Sequence, residues 1–143
     1  MFIGKYYHKL ESNRRLSLPK SFRDGHSAWV ITRGLDGSLF LYTAEDFETE
    51  IANFEARTFT KKTNRDFIRL MTNEAQMLQV DRSGRVQLPE YLANLAGLNK
   101  EVVVVGSLKR IEIWDQQRYH AYVDTIESQA EEIAERLEED KDE

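Results

Sequence analysis

Ten residues of this chain are written twice. Leu10-Glu-Ser-Asn-Arg-Arg-Leu-Ser-Leu-Pro19 returns seventy positions later as Val80-Asp-Arg-Ser-Gly-Arg-Val-Gln-Leu-Pro89, and the chain's only two prolines close the two copies. A repeat of this kind constrains the fold more than any local propensity, because both copies must solve the same folding problem. Each copy runs apolar, acidic, two polar residues, a turn position, arginine, apolar, polar, apolar, proline. The period-2 alternation marks a strand with one buried face. Leu16 and Leu18, or Val86 and Leu88, point inward; Arg15 and Ser17, or Arg85 and Gln87, point to water. Asp81-Arg82-Ser83-Gly84 is turn chemistry, with an aspartate able to bond the backbone two residues on and a glycine that tolerates positive φ. Proline ends the strand because it brings no N–H to a ladder. Each copy therefore reads as strand, tight turn and second strand, with a solvent-facing arginine at the turn's exit.

The repeat extends beyond the motif. Gly34 matches Gly106, Leu39-Phe-Leu-Tyr42 matches Ile111-Glu-Ile-Trp114, and the candidate helix caps Thr43 and Asp115 correspond. Phe2 to Leu10 reads as a strand with Phe2, Tyr6 and Leu10 on one face and Lys5 and Lys9 on the other. Lys20 to Gly25 is a turn or helical stub. Ala28–Thr32 and Ser38–Tyr42 are strands about a Gly34–Gly37 turn. A helix after Thr43 carries Phe47, Ile51 and Phe54 on one side. Phe59 to Thr72 reads as a helix with Phe67, Leu70 and Met71 on its apolar side, and Glu74 to Val80 as a strand. Glu90 to Ala96 is a short helix closed by Gly97. Val102–Val105 is a buried strand, Gly106 a turn residue, and Ile111–Trp114 the hairpin partner. One long final helix carries Tyr119, Tyr122, Ile126, Ala130, Ile133 and Leu137 as an apolar seam. That seam packs on the equivalent helix of the first half or on a neighbouring subunit. Glu138 to Glu143 forms an acidic tail expected to fray. The whole is an α+β chain of two units, residues 1–72 and 73–143, each too small to be comfortably stable alone.

Net charge is −5, yet the charge is unevenly placed. Residues 1–35 hold seven basic residues against two acidic, and residues 115–143 three basic against eleven acidic. A basic front and an acidic end make a dipolar molecule that can present a positive face to nucleic acid. The N-terminus lacks the pattern of a signal peptide and no apolar run is long enough to span a bilayer, so the expectation is a cytoplasmic protein with no membrane partner. The chain has no cysteine, and His8, His26 and His120 show no ligand spacing, so no metal or other cofactor is expected. No phosphate loop, dinucleotide fingerprint or nucleophile elbow is present, and nothing asks for an enzyme.

Asp81 with Arg85 has two readings. The acid caps its turn and pairs with the arginine locally, or it orients a guanidinium whose remaining donors suit phosphate or guanine. The opening Met-Phe-x-Gly, the doubled acid-x-x-x-Arg motifs each leading to apolar-x-apolar-Pro, and Glu112-Ile-Trp-Asp115 resemble the MraZ family of bacterial transcriptional regulators, related to AbrB-type swapped-hairpin DNA-binding domains. The resemblance covers residues 1 to about 125. It implies two tandem AbrB-like half-domains, of double-psi-like barrel type, forming a pseudo-dimer. It also implies a homo-oligomeric ring that binds repeated boxes in double-stranded DNA upstream of its own division and cell-wall gene cluster, in association with the nucleoid. The second motif matches the family pattern through Asp81, Gly84 and Arg85. The first departs from it, with Glu11 for the aspartate and Arg14 for the glycine, so a distorted first turn is expected.

On this reading Arg15 contacts DNA with Arg14 beside it, and Lys5, Lys9, Lys20 and Arg23 hold phosphates. Arg82 and Arg85 contact DNA or fix the second turn; Glu11 and Asp81 orient the motif arginines. A non-enzymatic assembly protein and an AbrB-like antitoxin are the alternatives, though the doubled motif favours a stand-alone regulator.

Overall fold

In a computed structural model, residues 1–57 and 60–141 are described. Eight strands and six helices follow in chain order: β1 (Lys5–Lys9), β2 (Arg15–Ser17), α1 (Lys20–Arg23), β3 (Ala28–Arg33), β4 (Leu39–Thr43), α2 (Ala44–Glu55), α3 (Lys62–Asn73), β5 (Gln76–Gln79), β6 (Arg85–Gln87), α4 (Glu90–Leu95), β7 (Glu101–Ser107), β8 (Arg110–Asp115), α5 (Gln116–Glu127) and α6 (Ala130–Lys141). The fold is α+β.

Strands of the two halves alternate in pairing. Six of them form one antiparallel sheet in the order β1-β7-β8-β4-β3-β5, and β2 pairs β6 in a separate two-stranded ribbon. β1 of the first half lies on β7 of the second, and β5 of the second lies on β3 of the first. Between them equivalent strands meet: Leu39 pairs Ile113 and Leu41 pairs Ile111, while Leu16 pairs its own counterpart Val86. The turns therefore do not open hairpins. The strand entering each turn joins the large sheet, and the strand leaving it joins the ribbon.

One core fills the space between ribbon and sheet. Leu16, Leu18, Val86 and Leu88 meet Trp29, Ile31, Leu39, Leu41, Val102, Val104, Ile111 and Ile113, with Phe22 of α1 and Leu92 of α4 closing the sides. The opposite sheet face is covered by helices. Phe40, Tyr42 and Met71 pack with Phe47, Ile51 and Phe67 beneath α2 and α3, and Trp114 takes the rings of Tyr119 and Tyr122 from α5. Thr43 and Asp115 cap α2 and α5 as expected: Thr43 Oγ1 accepts from the Asp46 N–H at 3.1 Å, and Asp115 Oδ2 from the Arg118 N–H at 3.3 Å.

Several expectations need correcting. The final helix is two helices, broken at Ser128 and Gln129. The hydroxyls of Thr125 and Ser128 turn back onto the Tyr122 and Thr125 carbonyls, a local bonding that competes with the helix ladder. α5 rests on β7 and β8, and α2 packs on α3 instead of on its counterpart α5. Gly106 is not a turn residue but lies within β7, because the Phe2–Ile3 backbone crosses over it. The strand from Phe2 is interrupted at Gly4, where φ is +88°; Phe2 still bridges Leu108. Helix α3 begins at Lys62, and its Leu70 is exposed; the Phe59 start lies outside the described residues, as do Asp142 and Glu143 of the expected tail. Among the described residues no helix is long and apolar enough to cross a membrane.

Candidate nucleic-acid interface

The β2–β6 ribbon sends Leu16 and Val86 into the core, fully buried, so its other face must carry Arg15, Ser17, Arg85 and Gln87. The register places Arg15 opposite Gln87 and Ser17 opposite Arg85. The two motif arginines thus stand diagonally on one outward face, although seventy residues separate them.

The second turn is built as its residues dictate. Asp81 Oδ1 accepts the N–H groups of Ser83 at 2.8 Å and Arg85 at 3.0 Å, and Oδ2 takes the Arg85 Nε at 3.2 Å. The backbone bond from Arg85 is the leading cause that holds the Asp81 carboxyl below the ordinary aspartate range; the Ser83 bond and the Arg85 charge add to it. Glu11, the acid of the other motif, reaches Arg85 Nη1 at 3.6 Å. Arg85 is therefore held by the carboxylates of both copies.

The first turn is distorted as expected. It is a kinked turn over Ser12–Arg14 with left-handed backbone, Asn13 and Arg14 both standing at φ 59°. Glu11 makes no side-chain cap, unlike Asp81. Gln87 Nε2 instead steadies the turn by donating to the Asn13 carbonyl at 3.1 Å.

Arg14 has a counterpart that the repeat alignment hides. Its Nε donates to the Leu88 carbonyl at 2.9 Å. At the other turn the equivalent carbonyl, Leu18, receives the Nε of Arg23 at 3.2 Å. Arg23 lies over Gly84, where φ is +79° and an added Cβ would stand 2.7 Å from the Arg23 Cζ. Seventy residues on from Arg23 stands Ala93. One turn thus combines glycine with an arginine from the neighbouring helix, the other arginine with an alanine, and each places a guanidinium on the equivalent carbonyl. Arg14 and Arg23, expected on DNA, each commit a nitrogen to the fold.

Arg14→Gly is therefore expected to destabilise the protein by about 1 kcal/mol, because the lost charged hydrogen bond outweighs the relief of positive φ. Adding Ala93→Arg should recover that loss, whereas Ala93→Arg alone gains nothing. Urea titrations of the four proteins should give a coupling of about 0.5–3 kcal/mol, and simple additivity would disprove the equivalence.

The remaining expected cations divide. Lys20 is exposed at the head of α1. Lys5 and Lys9 share the face of β1 that carries Tyr7, which stacks on His120 of α5, and Lys5 sits 5.8 Å from the Tyr119 ring. That is the helix-covered side of the sheet, opposite the ribbon. Among the described residues no hydrogen bond or ion pair engages the side chains of Arg15, Arg82 or Lys20.

Interleaved halves with arginine-bearing turns around a shared ribbon define a doubled-motif α+β protein of the kind the repeat promised. Comparison with known proteins places it more closely. A family model described as "MraZ protein, putative antitoxin-like" matches twice, over residues 1–70 and 71–141. The chain is 37% identical over 138 residues to "Transcriptional regulator MraZ" of Ligilactobacillus salivarius and 35% identical over 138 residues to the protein of the same name from Acetivibrio thermocellus, with 96% of each chain covered in both. The chain belongs to the MraZ family.

Proposed function

We propose that this protein is a sequence-specific DNA-binding transcriptional regulator with no reaction of its own. Both relatives are named as transcriptional regulators, not as enzymes. The observation that carries the reading is the outward ribbon face, where Arg15 has a guanidinium without a partner among the described residues and Arg85 is aimed by two carboxylates. Arginine presents a rigid fork of donors that matches guanine O6/N7 or a phosphate, and a two-stranded β-ribbon fits the major groove.

In this reading the units 1–72 and 73–143 are AbrB-like swapped-hairpin half-domains that form a pseudo-dimer within one chain. The exchange of β1 and β5 between halves and the self-equivalent β2–β6 and β4–β8 pairs support it. Lys20 and Arg23 flank the ribbon and hold phosphates; Lys5 and Lys9, on the α5 side, stand apart from it. Several copies form a ring and bind repeated boxes upstream of their own division and cell-wall gene cluster, in the cytoplasm at the nucleoid. One ribbon offers few contacts, so avidity across several copies supplies the affinity. The exposed seam of Tyr122, Ile126, Ile133 and Leu137 along α5 and α6 supplies apolar surface for such assembly.

The test is a mobility-shift titration on the chain's own upstream DNA. Binding should weaken steeply with salt. Arg15→Ala should cost about 1–3 kcal/mol of affinity at fixed salt. Wild-type affinity that ignores salt, or an Arg15→Ala protein that binds as wild type, would overturn the assignment.

A further inference from the structure

The two turns are equivalent in fold and unequal in charge, and the inequality arises from strand exchange. Leu18, at the end of β2, donates its N–H to the Gly84 carbonyl at 3.0 Å. Helix α1 therefore starts beside the second turn, although the first motif precedes it in sequence. Likewise Leu88 donates to the Arg14 carbonyl at 2.9 Å, so α4 starts beside the first turn. Each turn thus sits against the helix that follows the other motif.

The position-by-position comparison favours the second turn, although Arg14 against Gly84 and Asp24 against Asn94 run the other way. Lys20 at the head of α1 answers to Glu90 at the head of α4. Arg23 answers to Ala93, a difference that Arg14 offsets at the first turn, and Arg82 within the second turn answers to Ser12 within the first. Lys20 and Arg82 are exposed, and among the described residues neither has a hydrogen bond or ion pair. The carboxylates of the two motifs, Asp81 and Glu11, are both drawn onto Arg85 at 3.2 and 3.6 Å. The first turn has Arg14 held on the Leu88 carbonyl and Arg15 without a partner among the described residues, and it faces a carboxylate-bearing helix head where the second turn faces an ammonium.

We infer that the second turn, with Lys20 and Arg23 of α1 beside Arg82, is a clamp for the DNA phosphate backbone, and that the first turn is not. Resting on the DNA-binding reading above, this divides the labour within it. Phosphate contacts carry no sequence information but fix orientation on the duplex. A chain whose phosphate grip lies at one end of its ribbon binds a box in one direction. Arg15, at the weakly charged end, is left to the base edges.

The experiment moves charge between the turns without changing its total. In the full-length chain, Lys20→Glu is combined with Glu90→Lys, and in a second protein Arg82→Ser is combined with Ser12→Arg. All four positions are exposed, and circular dichroism checks the fold. The probe is a mixed-sequence duplex, on which binding reports phosphate neutralisation alone, and the readout is the slope of log affinity against log salt. Each relocation is expected to shallow the slope by about one unit, because a cation has left the clamp for a turn that does not grip. Slopes equal to wild type in both proteins would mean that the turns are interchangeable and would overturn the inference. Failure of the wild-type chain to bind duplex DNA at low salt is a different result: it removes the DNA reading itself, and the clamp falls with it.

Discussion

Leu16→Ala is expected to lower stability by about 2–5 kcal/mol and to unfold both halves in one step. Leu16 is fully buried at the centre of the ribbon, opposite Val86, and packs into the single core that ribbon and sheet enclose. Truncation leaves a cavity bounded by strands of both halves, and neither half can close it alone, because β1 and β5 are each paired to the other half. The urea midpoint should fall with an unchanged m-value. Far-ultraviolet circular dichroism and the fluorescence of Trp29 and Trp114, one from each half, should move together. A biphasic titration in which one set of signals survives would show that the halves fold independently.

The second large effect is expected from Gly106→Ala. A Cβ on Gly106 would lie 2.4 Å from the Ile3 nitrogen and 2.5 Å from the Phe2 carbonyl carbon. These are backbone atoms, tied down by the Gly106 N–H on the Gly4 carbonyl and by the reciprocal Phe2–Leu108 bonds. No rotamer change can relieve the contact, so the N-terminal segment must move away and Phe2 must leave its place against Phe22 and Trp29. The cost should be about 1–3 kcal/mol, with amide exchange at Phe2 and Leu108 accelerated well before the rest of the sheet. Protection at those amides equal to wild type would show that the segment absorbs the methyl without moving.

The ribbon's alternation was legible in the residues, as were the second turn, the caps at Thr43 and Asp115 and the distortion at Asn13-Arg14, because each depends on groups within a few positions of one another. The partner of each strand was not. Two copies of one pattern can pair within themselves or with each other, and alternation is satisfied either way. The same ambiguity bears on the charges: Lys20 and Arg23 belong by sequence to the first motif, yet their helix starts beside the second turn. It also hid the exchange between Gly84–Arg23 and Arg14–Ala93, which needs residues from both copies to be seen at all. The break at Ser128 was concealed because the apolar spacing of the seam runs on through it. Gly106 read as a turn because nothing local announces that residues a hundred positions earlier will cross above it.

A chain that carries both sides of such an arrangement inherits them separately. In an assembly of two identical subunits every substitution is written twice, and whatever suits one side is imposed on the other. Here Arg14 could appear without a twin at position 84, and Arg23 without one at 93. Two copies joined in one chain are free to drift apart while still folding around each other, so a repeated motif can yield a ribbon with two unlike ends.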